Sequence, residues 1–350
     1  MKKNKILRII KKNGLLFALL KVLRNRKDKD YINSFSDMTD IVRIVPCGSS
    51  IGKAPIYNFD IDKICGLFWY LRLVLEVLYY CDNMGFVPQI HWSKSLYYDD
   101  TIKSTTNPFE YYFIQPFSMS KQELQSRSIV QYAPGSRNLA RKLIGEGDIY
   151  VGSEEYTKAL AAVARKALCF NPETNEVINS FVSEKRICDD VLGVHIRGTD
   201  FRKKFKGHPV FVGTSEFYKY VDEAILLCGF KRVYLATDDQ KILDEFLEHY
   251  KDIEIVYSHD AHRGDGNQGI HVKAFIDSKT SAYSEGLIAL CDMIALSKCG
   301  GLISGISNLP LIARIFKKSE NSNYLYDVTI NKGFHEHGIN ADKRLFSELR

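Results

Sequence analysis

The sequence predicts a mixed α/β chain folded as two halves that face each other across a cleft. Three observations carry that expectation. Beyond Ile187, short apolar runs alternate with helix-length amphipathic runs, the pattern of a parallel sheet with helices on both faces. Before it, a long apolar helix candidate separates two strand candidates. And 350 residues, 45% hydrophobic and 26% charged, suffice for two buried cores.

In order, IVRIVPC (41–47) reads as a strand running into a loop, GSSIGKAPIYNFD. CGLFWYLRLVLEVLYYCDNMG (65–85) is apolar nearly all round, as a buried helix stopped by Gly85 would be. FVPQIHW (86–92) is the next strand. The aromatic stretch after it, broken by Pro108 and Pro116, reads as loop and short elements. Helices are expected around 136–144, 153–168 and 173–186. Then come strand VLGVHI (191–196), a helix from Ser215, strand RVYLAT (232–237), helix QKILDEFLEHY (240–250) and strand IEIVYS (253–258). EGLIALCDMIALSKCG (285–300) is a helix, GLISG (301–305) a strand, and LPLIARIFKK (309–318) a last helix with Pro310 near its start. The expected division is an N-terminal segment 1–30, a first unit 31–186 and a second unit 187–350.

The net charge of +6 is unevenly placed. Residues 1–30 hold eleven Lys/Arg against two Asp/Glu, so the remainder is slightly acidic and poorly suited to nucleic acid. The longest apolar run of that segment, Leu15 to Leu20, is too short to cross a bilayer. Ile6, Ile9, Leu16, Leu20 and Leu23 approximate one helical face among basic residues. Residues 1–27 are therefore expected to lie on an anionic membrane surface, at the cytoplasmic face, with docking on the protein's own surface as the alternative. The eight cysteines form no C-x-x-C pair and no zinc-spaced cluster, as in a reduced cytosolic protein.

Ligands of a parallel α/β sheet sit outside the carboxyl ends of the strands. The residues there are Arg197 to Asp200, then Thr237, Asp238 and Asp239, then Ser258, His259 and Asp260, then Ser304 to Asn308 leading into a helix. Together they suit a nucleoside diphosphate. Arg197 can fork two charge-assisted hydrogen bonds onto phosphate, and the 304–308 turn offers amides, hydroxyls and a helix dipole to the same anion. A carboxylate such as Asp260 can accept from a guanine edge. Taken alone, Arg197 with Asp200 also fits a surface ion pair. GSSIGKA (48–54) is one residue short of a P-loop and has Ala54 where a magnesium-binding hydroxyl belongs. No strand is followed by G-x-G-x-x-G. Asp60-Ile61-Asp62 matches the D-x-D of some metal-dependent glycosyltransferases, a match of little specificity.

RGTD and RVYLATDDQKILDEFLEHYKDIEIVYS resemble the α-1,6-fucosyltransferase family and its rhizobial nodulation relatives, in a superfamily that includes protein O-fucosyltransferases. The family's H-x-R-R-x-D reads here as His195, Arg197, Gly198 and Asp200, with the second arginine lost. ATDD (236–239) is very close, EGLIALCDMIALSKCGGLISGISNLPLIARIF is similar, and NPFEYYFIQP (107–116) is similar to a W-E-x-x-F segment. The good match covers about residues 187–316.

The resemblance implies a GT-B-like fold of two Rossmann-like domains and an inverting, metal-independent enzyme without cofactor. The donor would be GDP-fucose and the acceptor a hydroxyl of a surface glycan or lipid-linked oligosaccharide, in polysaccharide biosynthesis. Arg197 would bind the β-phosphate, His195 would meet the guanine or its ribose, and Asp260 or His259 would read the guanine edge. Ser304 and Ser307 would hold the diphosphate from the other side, with Asp238 and Asp239 in the same donor set. The family's glutamate after the arginine motif is replaced by FRKKFKGH (201–208), which leaves Asp200 and His208 as candidate bases. Arg202, Lys203, Lys204 and Lys206 could alternatively grip an anionic acceptor. Another nucleotide-sugar donor, or a non-catalytic nucleotide- or glycan-binding protein, are the competing readings.

Overall fold

The computed structural model describes residues 43–45, 53–61, 64–132, 143–144, 152–264 and 281–337. The basic segment 1–30 and the helix expected from residue 136 lie outside them, apart from helical residues 143–144.

Two sheets organise the chain. The first holds β1 (Arg43–Val45), β2 (Ile56–Asp60), β3 (Val87–His91) and β4 (Ile129–Tyr132) in the order β1-β4-β2-β3. β2 runs parallel to β3 and β4, while β1 is antiparallel to β4. The second holds β5 (Val191–Ile196), β6 (Arg232–Thr237), β7 (Glu254–Val256), β8 (Gly301–Gly305) and β9 (Tyr326–Ile330), all parallel, in the order β7-β6-β5-β8-β9. Strands β5 to β7 are added toward one edge and β8 and β9 toward the other, so the winding across the sheet reverses between β5 and β8. That is the topological switch point of a doubly wound sheet, where a crevice opens beyond the strand ends.

Three strands depart from the expectation. β2 lies within the stretch read as loop: Tyr57 and Phe59 are buried while Asn58 and Asp60 are exposed, a period of two too short to stand out after a Gly- and Ser-rich turn. β4 and β9 were not expected at all. β9 is an edge strand whose mixed residues gain their order from pairing with β8.

The helices follow their capping residues. α1 (Leu67–Met84) ends at Gly85, whose φ of 68° is the left-handed conformation that glycine adopts without strain. After α2 (Lys121–Ser126), α3 (Glu154–Ala167) starts at Ser153, whose side chain accepts from the Tyr156 amide. α4 (Pro172–Glu184) starts at Asn171, followed by proline at its first position. In the second half, α5 (Ser215–Cys228) and α6 (Gln240–His249) cover one face of the second sheet. There Phe217, Val221, Ile242 and Phe246 pack with Val194, Leu235 and Ile303.

The opposite face belongs to α7 (Ala282–Lys298) and α8 (Asn308–Ser319). Helices of the first half join them there: α3 and α1 against α8, and α4 against α7. Tyr70, Leu75 and Leu160 thus share one apolar cluster with Leu290, Leu296 and Ile312. Residues of both sheets, Phe59 and Ile90 of the first and Tyr234 and Leu302 of the second, belong to the same cluster. No helix among the described residues is long and apolar enough to cross a membrane.

Candidate functional site

Strand register sets the site. His195 lies abreast of Ala236 and Ser304, so Arg197 leaves β5 beside the Asp238 turn on one side and the Gly305–Ser307 turn on the other. Asp238 organises the first turn. Its carboxylate accepts from the Gly198 amide at 2.7 Å and the Thr199 hydroxyl at 2.7 Å, and lies 3.0 Å from the Arg197 guanidinium. Arg197 keeps 28% of its side chain exposed and also lies over the Phe201 ring. Asp239 is wholly buried: it caps α6 by accepting from the Lys241 amide at 3.0 Å, and its other oxygen holds Arg202 at 2.8 Å. Both aspartates of the donor set therefore shape the loop that carries Arg197. A β-carbon at Gly198 would overlap the Asp239 side chain. The close approach of these two turns accounts for glycine where the family motif has arginine.

His195 and Ser304 lie deeper than the strand-end picture implied. Ser304 is fully buried, and its hydroxyl accepts from Arg314 of α8 at 3.2 Å, while Arg314 is itself clasped by Asp327. His195 is 4% exposed, and its Nδ1 has no hydrogen-bond partner among the described residues. Burial, reinforced by the charges of Arg197 and Arg314, pushes the imidazole down to about 3, so it is neutral at physiological pH.

Ser307 differs. It is the N-cap of α8, half-buried, and its hydroxyl makes no capping bond. The next residue, Asn308, accepts from Arg72 of α1 at 3.0 Å. Arg72 is itself buried beside Glu76, which accepts from the Tyr156 hydroxyl. The first half of the chain thus braces the N-terminus of α8, which follows the strand paired with β5. This brace escaped the sequence reading, although two opposite charges four residues apart in an otherwise apolar helix were its visible sign.

A second clasp joins the halves nearby. Asp99 is buried, which pushes its carboxyl up, but hydrogen bonds from Ser281, Thr101 and Tyr283 outweigh burial and hold it at about 2. Ser281 is the N-cap of α7, so the carboxylate also meets the positive end of that helix. The Tyr112 hydroxyl donates to the Tyr283 carbonyl at 2.9 Å, and the two rings stack.

The remaining predicted residues are dispersed. His259 and Asp260 are exposed on the turn after β7, where the Tyr257 ring packs against His259 and under Arg263. His208 packs its ring against Phe205 and Phe201, and its carbonyl accepts from the His335 amide. Asp200 lies in a short 3-10 turn, Thr199–Arg202, with its side chain outside the described set. Arg202 is committed to Asp239 and the Phe211 face, whereas Lys203, Lys204 and Lys206 are exposed. Asp60 accepts from the Ser93 amide, and Asp62 lies outside the described residues. Among the described residues no group of three or more His, Cys, Asp or Glu converges as metal ligands do.

A cavity of about 340 Å³ lies between the start of α3, α8 and β9, lined among others by Arg314 and Thr329. Its cations are matched by carboxylates: Arg314 with Asp327, Lys317 with Asp189, and Lys318 with Glu154.

No family model matches the chain, and no curated protein does. Several solved structures are similar. One is NodZ α-1,6-fucosyltransferase soaked with GDP-fucose, 15% identical over 75% of this chain and 93% of that one, with a TM-score of 0.48. Fucosyltransferase NodZ from Bradyrhizobium is 15% identical over 76% and 92%, with a TM-score of 0.45. POFUT1 in complex with GDP-fucose is 10% identical over 80% and 99%, with a TM-score of 0.44.

Proposed function

We propose that the chain is a glycosyltransferase that takes a sugar from a GDP-sugar, GDP-fucose in the first instance, and places it on a hydroxyl of a glycan. One observation carries the reading. At the switch point between the paired strands β5 and β8, Arg197 follows the end of β5 and α8 begins just after β8, with Asp238 bracing the first turn and Arg72 the second. An arginine and a helix N-terminus at the ends of paired strands suit a diphosphate. The motif resemblance around residues 195–200 and 236–239 supports GDP-fucose in particular.

In this reading the acceptor hydroxyl attacks the anomeric carbon from the face opposite the nucleotide, so the configuration inverts without a metal. Negative charge grows on the departing diphosphate. Arg197, the Ser307 hydroxyl and the α8 amides would receive it, which would lower the barrier. Neutral His195, its Nδ1 unmatched but covered, would meet the guanine or its ribose without adding a charge. Asp260 or His259 on the β7 turn would read the guanine edge. Residues 31–186 would supply the acceptor side and residues 187–350 the donor side. Residues 1–27 would hold the enzyme on the inner face of the membrane, near a lipid-linked acceptor.

Calorimetry with GDP, UDP, ADP and CMP, without added metal, tests the donor. GDP is expected to bind selectively, and Arg197→Ala to lose about 3–4 kcal/mol of transition-state stabilisation in turnover, by analogy with one oxyanion-hole donor. Equal binding of all four nucleotides, or GDP binding indifferent to Arg197, rejects the reading. Membrane attachment is tested separately: removing residues 2–27 should release the protein from anionic vesicles.

A further inference from the structure

The transfer needs a proton acceptor; of the two sequence candidates, the Asp200 side chain lies outside the described residues. The His208 ring is packed between aromatic neighbours. Elsewhere, His262 follows the β7 turn and Glu285 lies in the first turn of α7. His262 Nδ1 is hydrogen-bonded to Glu285 Oε1. The glutamate is largely covered, at 12% exposed, while the imidazole keeps 47% of its surface open. A partly covered carboxylate that accepts from Nδ1–H of a solvent-facing imidazole orients the ring and favours the tautomer with its lone pair on Nε2.

The position fits the chemistry as well. Gly286, next to Glu285, lies against Tyr97 and Tyr112 of the first half, where a β-carbon would overlap the Tyr112 hydroxyl. The dyad therefore sits at the seam between the halves. Tyr97 is buried there, its hydroxyl accepting from the Leu67 amide, and it is pushed up to about 12 by burial, with the charges of Arg197 and Glu285 acting on it in opposite directions. The charges of Arg197 and of Glu285 thus both act on one buried tyrosine.

We infer that His262 is the general base of the transfer and Glu285 its positioning residue, an inference that rests on the glycosyltransferase reading. In the step, the acceptor oxygen bonds to the anomeric carbon and its proton passes to His262 Nε2. The bond from that carbon to the phosphate oxygen breaks, and GDP leaves with the electron pair. Glu285 holds the Nδ1 proton of the resulting imidazolium.

The test uses the full chain and measures GDP binding by calorimetry beside GDP release from GDP-fucose, with methyl glycosides of common hexoses or water as acceptor. His262→Gln should lower kcat by about 10²-fold or more, a typical loss for one general base. Glu285→Gln should lower kcat with KM for the donor unchanged. Both variants should bind GDP as the parent does, which also reports that they fold. Added imidazole should restore GDP release to His262→Gly. The inference is overturned if GDP release by both variants stays within about threefold of the parent. It is equally overturned if His262→Gln loses GDP binding, which would make the imidazole a nucleotide contact. A parent that binds GDP but releases none from GDP-fucose is a binding protein, and that too overturns the dyad's role. Failure of the parent to bind GDP refutes the donor reading itself, and the dyad with it.

Discussion

Arg72 and Asn308 stand 236 positions apart in the chain and meet at 3.0 Å, the guanidinium of α1 donating to the side chain that begins α8. Arg72 and Glu76 are almost completely covered, so the brace is also a buried charge pair. Removing one member of such a pair leaves the other's charge uncompensated, at a typical cost of about 3–5 kcal/mol. Arg72→Met should therefore destabilise the protein by roughly that amount in urea unfolding. Arg72→Met combined with Glu76→Leu should recover most of the loss. A double variant as unstable as the single one would show that the hydrogen bond to Asn308, not the charge pair, is what matters.

Gly198 is held against Asp239 by the hydrogen bond that ties its amide to Asp238. Gly198→Ala has to force these turns apart, and overpacking of this kind costs about 1–3 kcal/mol. GDP affinity should fall in parallel, because Arg197 moves with the turn. Thermal unfolding and calorimetry on one preparation would check both, and unchanged values in both would contradict the described contact.

His195 sets one acid limit of stability. Unfolded, its imidazole protonates near pH 6.5; folded, only at about 3, because burial and the charges of Arg197 and Arg314 oppose it. Between those values the unfolded chain binds the extra proton, so stability falls as pH drops, by up to about 1.4 kcal/mol per unit. His195→Gln should flatten that slope while leaving the curve above pH 7 parallel to the parent's. Urea midpoints from pH 7 to 4 would show it.

Asp292 has the opposite sign. Burial raises its carboxyl from 3.8 to about 6, against the hydrogen bond from the Tyr234 hydroxyl at 2.5 Å and the charge of Arg263. Its ionisation therefore opposes folding as pH rises through that interval. Asp292→Asn keeps an acceptor for Tyr234 and removes the charge. It should raise the melting temperature at pH 7 and leave it nearly unchanged at pH 3.5. A loss of stability at pH 7 would mean that the ionised carboxylate is the favoured partner.

Much of the second half could be read from sequence because its determinants are local. Strands β5, β6 and β8 are apolar runs bounded by turn residues, and α6 begins where an aspartate can cap it. Gly85 ends α1 because glycine tolerates the left-handed conformation found there. The motif 195–200 likewise pointed to the strand end that carries Arg197. β2 and β9 were illegible, since short strands of mixed polarity are ordered by the neighbours they pair with.

By itself, then, the sequence determined the α/β class, the order of most elements, and the place of Arg197 at the end of β5. The tertiary structure decided which polar residues face inward and which remain open. It buried His195 and Ser304, turned Asp238 and Asp239 into supports of the loop, and left Ser307 at the helix terminus. It also brought Arg72 to Asn308, Asp99 to Ser281 and His262 to Glu285. Those pairings join residues apart in sequence, and for Arg72 with Asn308 and Asp99 with Ser281 the burial that strengthens them exists only once both halves share a core.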